Sequence, residues 1–197
     1  MKITFIVLSV ITVLSISSCN NAPNTEDKSS TTSEELADAK IVKPSFVNTG
    51  AKLTIQVQRI YKTYLNIQTA LASDKSTEAA MQAVIVDQLI NGFDTTNLPA
   101  DQKEAYEVHA SKIRELAINM SNTQDINVQR TTFSPLSDHV YELVKTFGND
   151  RPVYQTHCAM AFDGKGASWL SDKTEIRNPY YGSEMLECGE VINIVKK

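Results

Sequence analysis

Cysteine is scarce in this chain of 197 residues: there are three, at positions 19, 158 and 188. No two of them are spaced as Cys-x-x-Cys, so the arrangement that lowers a thiol pKa in redox-active pairs is missing. Long apolar runs are scarce too. Beyond Cys19 none is long enough to span a bilayer, and no transmembrane helix is expected there. Clusters of basic residues are absent, with 19 Lys and Arg against 23 Asp and Glu. A formal net charge of −4 without a basic patch argues against nucleic acid as a partner. The chain has no glycine-rich phosphate loop, no zinc-protease helix and no nucleophile elbow. Nothing marks Glu184 and Glu187 as a catalytic pair, and an enzyme is not expected.

The one strongly apolar stretch lies at the start. Lys2 precedes an apolar run over residues 3–14, broken by Thr4, Ser9 and Thr12, which is too short to cross a membrane. It ends in Ile16-Ser17-Ser18-Cys19, which resembles a bacterial lipobox. That resemblance implies cleavage before Cys19 and acylation of Cys19, giving a protein held to a membrane by lipid in the cell envelope, outside the cytoplasm. More than one acyl chain makes such an anchor stable, since each buried CH₂ adds about 0.8 kcal/mol. Residues 1–18 are therefore read as a lipoprotein signal peptide. Residues 19–46 read as a disordered tether: Asn, Ser, Thr, Glu, Asp and Lys dominate, and too little apolar surface is present to offset the entropy of ordering. Residues 47–197 remain, about 150 residues, enough for one domain with a real core.

Four stripes of apolar residues at spacings of three and four fill the first two thirds of that domain. They are Leu53, Val57, Ile60, Tyr64, Ile67 and Leu71; then Ala79, Ala83, Val86, Ile90 and Phe93; then Tyr106, His109, Ile113, Leu116 and Met120; then Ile126, Gln129, Phe133, Leu136, Val140, Leu143 and Phe147. Each is one face of a helix. Ser76 or Thr77 is placed to cap the second helix, Pro99 to open the third, Asp125 to cap the fourth and Gly148 to stop it. Short links predict antiparallel neighbours, so the expected fold is mainly α: an antiparallel four-helix bundle with a small C-terminal irregular or β-hairpin segment packed on it. Pro135 falls inside the fourth stripe and predicts a kink or a tight restart. His109 and Gln129 interrupt apolar stripes, but no His or carboxylate cluster of the di-metal bundle type accompanies them, so they read as boundary residues with local partners. His139 sits beside the fourth stripe and is expected to be solvated.

From position 150 onward the pattern changes. Residues 153–157 and 190–195 look like strands, and Asp163-Gly164-Lys165-Gly166 and Asn178-Pro179 like turns. Here lie Cys158 and Met160, two apart, and Met185 and Cys188, three apart, with His157 beside the first cysteine. Thiolate and thioether are soft donors, and soft donors select Cu(I) over hard cations. Trp169, Tyr180 and Tyr181 are placed to wall such a site. The same cysteines, thirty positions apart in an oxidising compartment, are also an ordinary disulfide pattern, worth roughly 3–4 kcal/mol in the chain-entropy model. Spacing leaves both readings open.

The segment Val153-Tyr154-x-x-His157-Cys158-x-Met160-Ala161, followed by Gly164-Lys165-Gly166-Ala167-x-Trp169-Leu170-Ser171 and Ile176-x-Asn178-Pro179-Tyr180-Tyr181-Gly182-x-x-Met185-Leu186-x-Cys188-Gly189, resembles a domain family of unassigned function. That family occurs in envelope lipoproteins and at the end of some periplasmic adaptor subunits of copper and silver efflux systems. Residues 61–71 and Gln129-Arg130-x-x-Phe133-x-x-Leu136-Ser137 resemble its helices. The resemblance implies copper or another soft metal, with Cys158, Met160, Met185 and Cys188 as matching ligands, His157 as a further donor, and a metal-efflux component as partner. The chain departs from the pattern at Ala159, where the family commonly has proline. It also lacks the barrel and long hairpin of an adaptor, so a bridging role between pump and channel is not expected.

Overall fold

The structure, a computed structural model, describes Leu36 and residues 38–197. The expected signal peptide, the lipidation site Cys19 and most of the tether lie outside the described residues. Four long helices follow one another: α1 (Ala51–Ala72), α2 (Ser76–Asn91), α3 (Ala100–Ser121) and α4 (Ile126–Phe147). Each packs on the next, and α1 also packs on α4. None is long and apolar enough to cross a membrane.

The stripes are the core. Leu53, Val57, Ile60, Tyr64, Ile67 and Leu71 of α1 are all buried, as are Phe133, Leu136, Val140, Leu143 and Phe147 of α4. The stripes of α2 and α3 thin out at Ile90, Phe93, His109 and Leu116, which are only half-buried. Asp125 caps α4, its carboxylate accepting from the N–H groups of Asn127 (2.9 Å) and Val128 (3.4 Å). The second helix differs from expectation: it starts at Ser76 with Lys75 at the cap position and no side-chain cap. Pro135 neither ends nor restarts α4, which runs unbroken across it. Gly148 stops α4 at φ 77°, a left-handed value that favours glycine, and a Cβ there would crowd Pro44 at 2.9 Å.

After α4 comes a sheet of strand order β1-β4-β2-β3, formed by β1 (Lys40–Val42), β2 (Val153–Cys158), β3 (Ala167–Ser171) and β4 (Glu190–Val195). β2 pairs antiparallel with β3 and β4, and β4 pairs parallel with β1. The C-terminal segment is thus a real sheet rather than one irregular hairpin. Strand β1 corrects the reading of residues 19–46 as tether: Lys40, Ile41 and Val42 register with Asn193, Ile194 and Val195. Ser45 and Phe46 then donate to the carbonyls of Lys145 and Thr146, and the Phe46 ring stacks on Phe147 at 5.4 Å. Composition missed this because two β-branched residues suffice when β4 supplies an open edge.

A ladder of rings joins the sheet to the helices. Tyr61 meets Tyr64 at 6.4 Å, Tyr64 meets Phe133 at 5.0 Å, Phe133 meets Tyr180 at 6.0 Å, and Tyr180 meets Trp169 at 5.9 Å and Phe162 at 5.2 Å. The Tyr64 hydroxyl is buried but satisfied: it shares a hydrogen bond with Ser137 (2.8 Å) and accepts from the Leu170 N–H of β3 (2.9 Å). Burial pushes its phenol pKa up, so it stays neutral.

Candidate functional site

Cys158 ends β2 and Cys188 sits just before β4. The antiparallel pairing of these strands places their ends side by side, with His157 registered against Glu190. The two sulfurs meet and are joined as a disulfide, with Cα atoms 5.8 Å apart. Cys158 is 1% exposed, while Cys188 is half-buried. The structure thereby brings together two of the five residues singled out as ligands.

The other three are placed differently. Met160 follows Cys158 out of the strand and is 55% exposed. Met185 is half-buried at the end of a short 3₁₀ turn (Gly182–Glu184), and its carbonyl accepts from the Cys188 N–H at 3.2 Å. His157 neighbours Cys158 on a strand, where successive side chains point to opposite faces. Its Nδ1 lies 3.0 Å from the Ser168 hydroxyl, and its ring covers Gly166, where a Cβ would come within 2.8 Å of Cε1. Strand alternation thus directs His157 away from the sulfurs. Among the described residues no group of three or more His, Cys, Asp or Glu converges as a metal site, so any metal here depends on the methionines.

The loop that carries Met160 is held in an uncommon conformation. Phe162 (φ 53°), Asp163 (φ 58°) and Gly164 (φ 82°) form a left-handed turn. Each non-glycine residue in that region costs roughly 1–2 kcal/mol. The turn is fixed by the Phe162–Tyr180 edge contact, by the Gly166 N–H donating to the Ala161 carbonyl at 2.9 Å, and by the Tyr181 hydroxyl donating to the Met160 carbonyl at 2.6 Å. Tyr180 and Tyr181 therefore support the loop as a pair. Tyr180 is buried, its hydroxyl donates to the Ser168 carbonyl at 2.5 Å, and burial raises its pKa.

Asn178 is the residue whose role the sequence did not disclose beyond a turn. It is 0% exposed. Its N–H donates to the Leu186 carbonyl (2.7 Å), its side-chain NH₂ donates to the Cys188 carbonyl (2.8 Å), and its side-chain oxygen accepts from the Tyr180 N–H (2.8 Å). One amide thus closes the whole loop between Tyr180 and Cys188. Asn178→Ala is expected to leave the partly buried Cys188 carbonyl and the buried Tyr180 N–H unpaired and to cost about 2–3 kcal/mol; a shift of the urea midpoint too small for 1 kcal/mol would contradict this.

The loop is clamped to the helices by Arg130 of α4. Its guanidinium donates to the carbonyls of Pro179 (2.9 Å) and Leu71 (3.1 Å) and to the Asp74 carboxylate (2.6 Å), which also accepts from the Ser183 N–H at 3.0 Å. Ser183 first, and then Arg130, hold the Asp74 carboxyl below the usual carboxylate range. Gly182 (φ 58°) fits under this pair, where any Cβ would overlap Asp74 and Arg130.

Residues 60–152 match the family model described as "Protein of unknown function (DUF3347)". The match runs from within α1 to the residue before β2, so it covers most of the helical part and stops short of both Cys158 and Cys188. No curated protein and no solved structure matches the chain. Arg130 and Phe133, which fasten the C-terminal segment, lie inside the DUF3347 stretch; the sulfur donors lie outside it.

Proposed function

We propose that the chain is a lipid-anchored, extracytoplasmic binding protein for Cu(I) or another soft metal, acting in sequestration or in delivery to an efflux system. It is a binding protein rather than an enzyme, with the membrane as its anchor through Cys19 and a metal-efflux component as its partner. The observation that carries the reading is the meeting of the Cys158 and Cys188 sulfurs at one point, with exposed Met160 two residues along the chain from Cys158 on a braced loop and Met185 in the turn before Cys188. In the oxidised form the sulfurs satisfy one another. Two electrons and two protons from an envelope dithiol reductant convert the bond to two thiols, and each thiol loses its proton on binding metal. Met160 and Met185 then add thioether donors, leaving a soft, low-coordinate site suited to Cu(I). The helices serve as its platform; the short links between them favour an antiparallel bundle.

A second reading is favoured by the burial of Cys158 and the bond itself: a non-metal interaction module of the envelope in which Cys158–Cys188 is purely structural. Titrating Cu(I) into the reduced protein separates the two. The metal reading expects one tight equivalent, lost in Cys158→Ser and weakened in Met185→Leu. Equal affinity in all three proteins leaves the structural disulfide.

A further inference from the structure

A separate pair of donors stands between α3 and α4. His109 and His139 face each other with their Nδ1 atoms 3.2 Å apart and ring centroids 5.5 Å apart, at an interplanar angle of 46°. Both side chains are half-buried, so an ion can reach them from solvent. Neither is part of the C-terminal segment, and among the described residues neither has another side-chain hydrogen-bond partner.

We propose that His109 and His139 form a two-histidine site for a borderline divalent ion such as Zn(II), bridging α3 and α4. Two observations carry this. First, imidazole nitrogens bind zinc at about 2.0–2.1 Å, which sets two nitrogens on a tetrahedral ion about 3.3–3.4 Å apart. The observed 3.2 Å needs almost no movement of either helix. Second, the two residues sit on different long helices whose neighbouring positions are packed, Ala110 beside one and Val140 beside the other. The pair is therefore preorganised by the core rather than by a loop. Without a metal, one Nδ1–H donates to the other Nδ1. On binding, that proton moves through solvent to Nε2 of the same ring, and both Nδ1 atoms then donate lone pairs to the ion. Water or a ligand from a partner completes the coordination, since among the described residues no third His, Cys, Asp or Glu joins the pair.

The test uses the whole mature protein with Cys158–Cys188 oxidised, so that the C-terminal sulfurs take no part. Calorimetric titration with Zn(II) is expected to show one equivalent, and His109→Gln and His139→Gln are each expected to weaken it by more than about tenfold. In the wild-type protein, both imidazole Nδ1 resonances are expected to shift together on zinc addition, a readout that does not depend on the variants folding. The absence of a saturable isotherm, an isotherm unchanged in both variants, or Nδ1 resonances that do not respond to zinc would each overturn the proposal. Failure of Cu(I) binding at the C-terminal cysteines has no bearing on this outcome.

Discussion

Phe133→Ala is expected to destabilise the protein by about 3–5 kcal/mol, the range for deleting a fully buried aromatic ring. Phe133 is 0% exposed and lies between the Tyr64 ring of α1 and the Tyr180 ring of the C-terminal loop. Removing it opens a void that none of three elements can close alone. α4 is pinned by its own helical hydrogen bonds, Tyr64 by Ser137 and Leu170, and Tyr180 by Ser168. Because a domain of this size has about 5–15 kcal/mol in total, the loss is a large share of it. Urea denaturation followed by far-ultraviolet circular dichroism measures it. Phe133→Leu, which refills much of the volume, is expected to lose less than half as much. A loss under about 1.5 kcal/mol for Phe133→Ala would mean that the ring ladder does not couple the sheet to the helices.

Reducing Cys158–Cys188 is expected to cost about 3–4 kcal/mol, from the entropy that a cross-link over a sequence separation of 30 removes from the unfolded chain. The effect reaches beyond the loop. β4 begins two residues after Cys188 and carries β1 on its outer edge, so freeing Cys188 loosens the seat of both strands. Oxidised and reduced protein, compared by urea denaturation with thiols kept reduced in one arm, give the difference directly. Identical midpoints would sink the view that this bond holds the segment. Bound Cu(I) is expected to restore much of the loss in the reduced protein, because a ligand that binds only the folded state stabilises it by mass action.

The helices were legible because their signal is local and repeated. Six residues of the first stripe are buried where the period places them, Asp125 caps where a carboxylate precedes an apolar run, and Gly148 stops the helix with the left-handed φ that glycine permits. Apart from the cap of α2 and the continuity of α4 through Pro135, the misses are non-local. Ile41 and Val42 become a strand because Ile194 and Val195 offer an edge at the far end of the chain, which no window of sequence contains. The contact of His109 with His139 needs the packing of two helices, and the sequence placed His139 in solvent. Strand β3 was hidden in a run of small and aromatic residues around Trp169, whose register with Thr156 only the sheet defines. At the candidate site the residue types were readable, and the meeting of the two cysteines was one of two open readings, while the direction of His157 was not legible. Both cysteines and both methionines stood out by chemistry, yet His157 next to Cys158 points the other way because a strand alternates its faces. Asn178 looked like turn punctuation, and its three bonds to Leu186, Cys188 and Tyr180 exist only once the loop closes.

Titration of the mature protein with Cu(I), in parallel on fully reduced and fully oxidised samples, tests the central claim most directly. The account predicts one tightly bound equivalent in the reduced sample, with no site of comparable affinity in the oxidised one, and a marked weakening in reduced Met160→Leu and Met185→Leu. Equal binding by reduced and oxidised protein, or none by either, would contradict it.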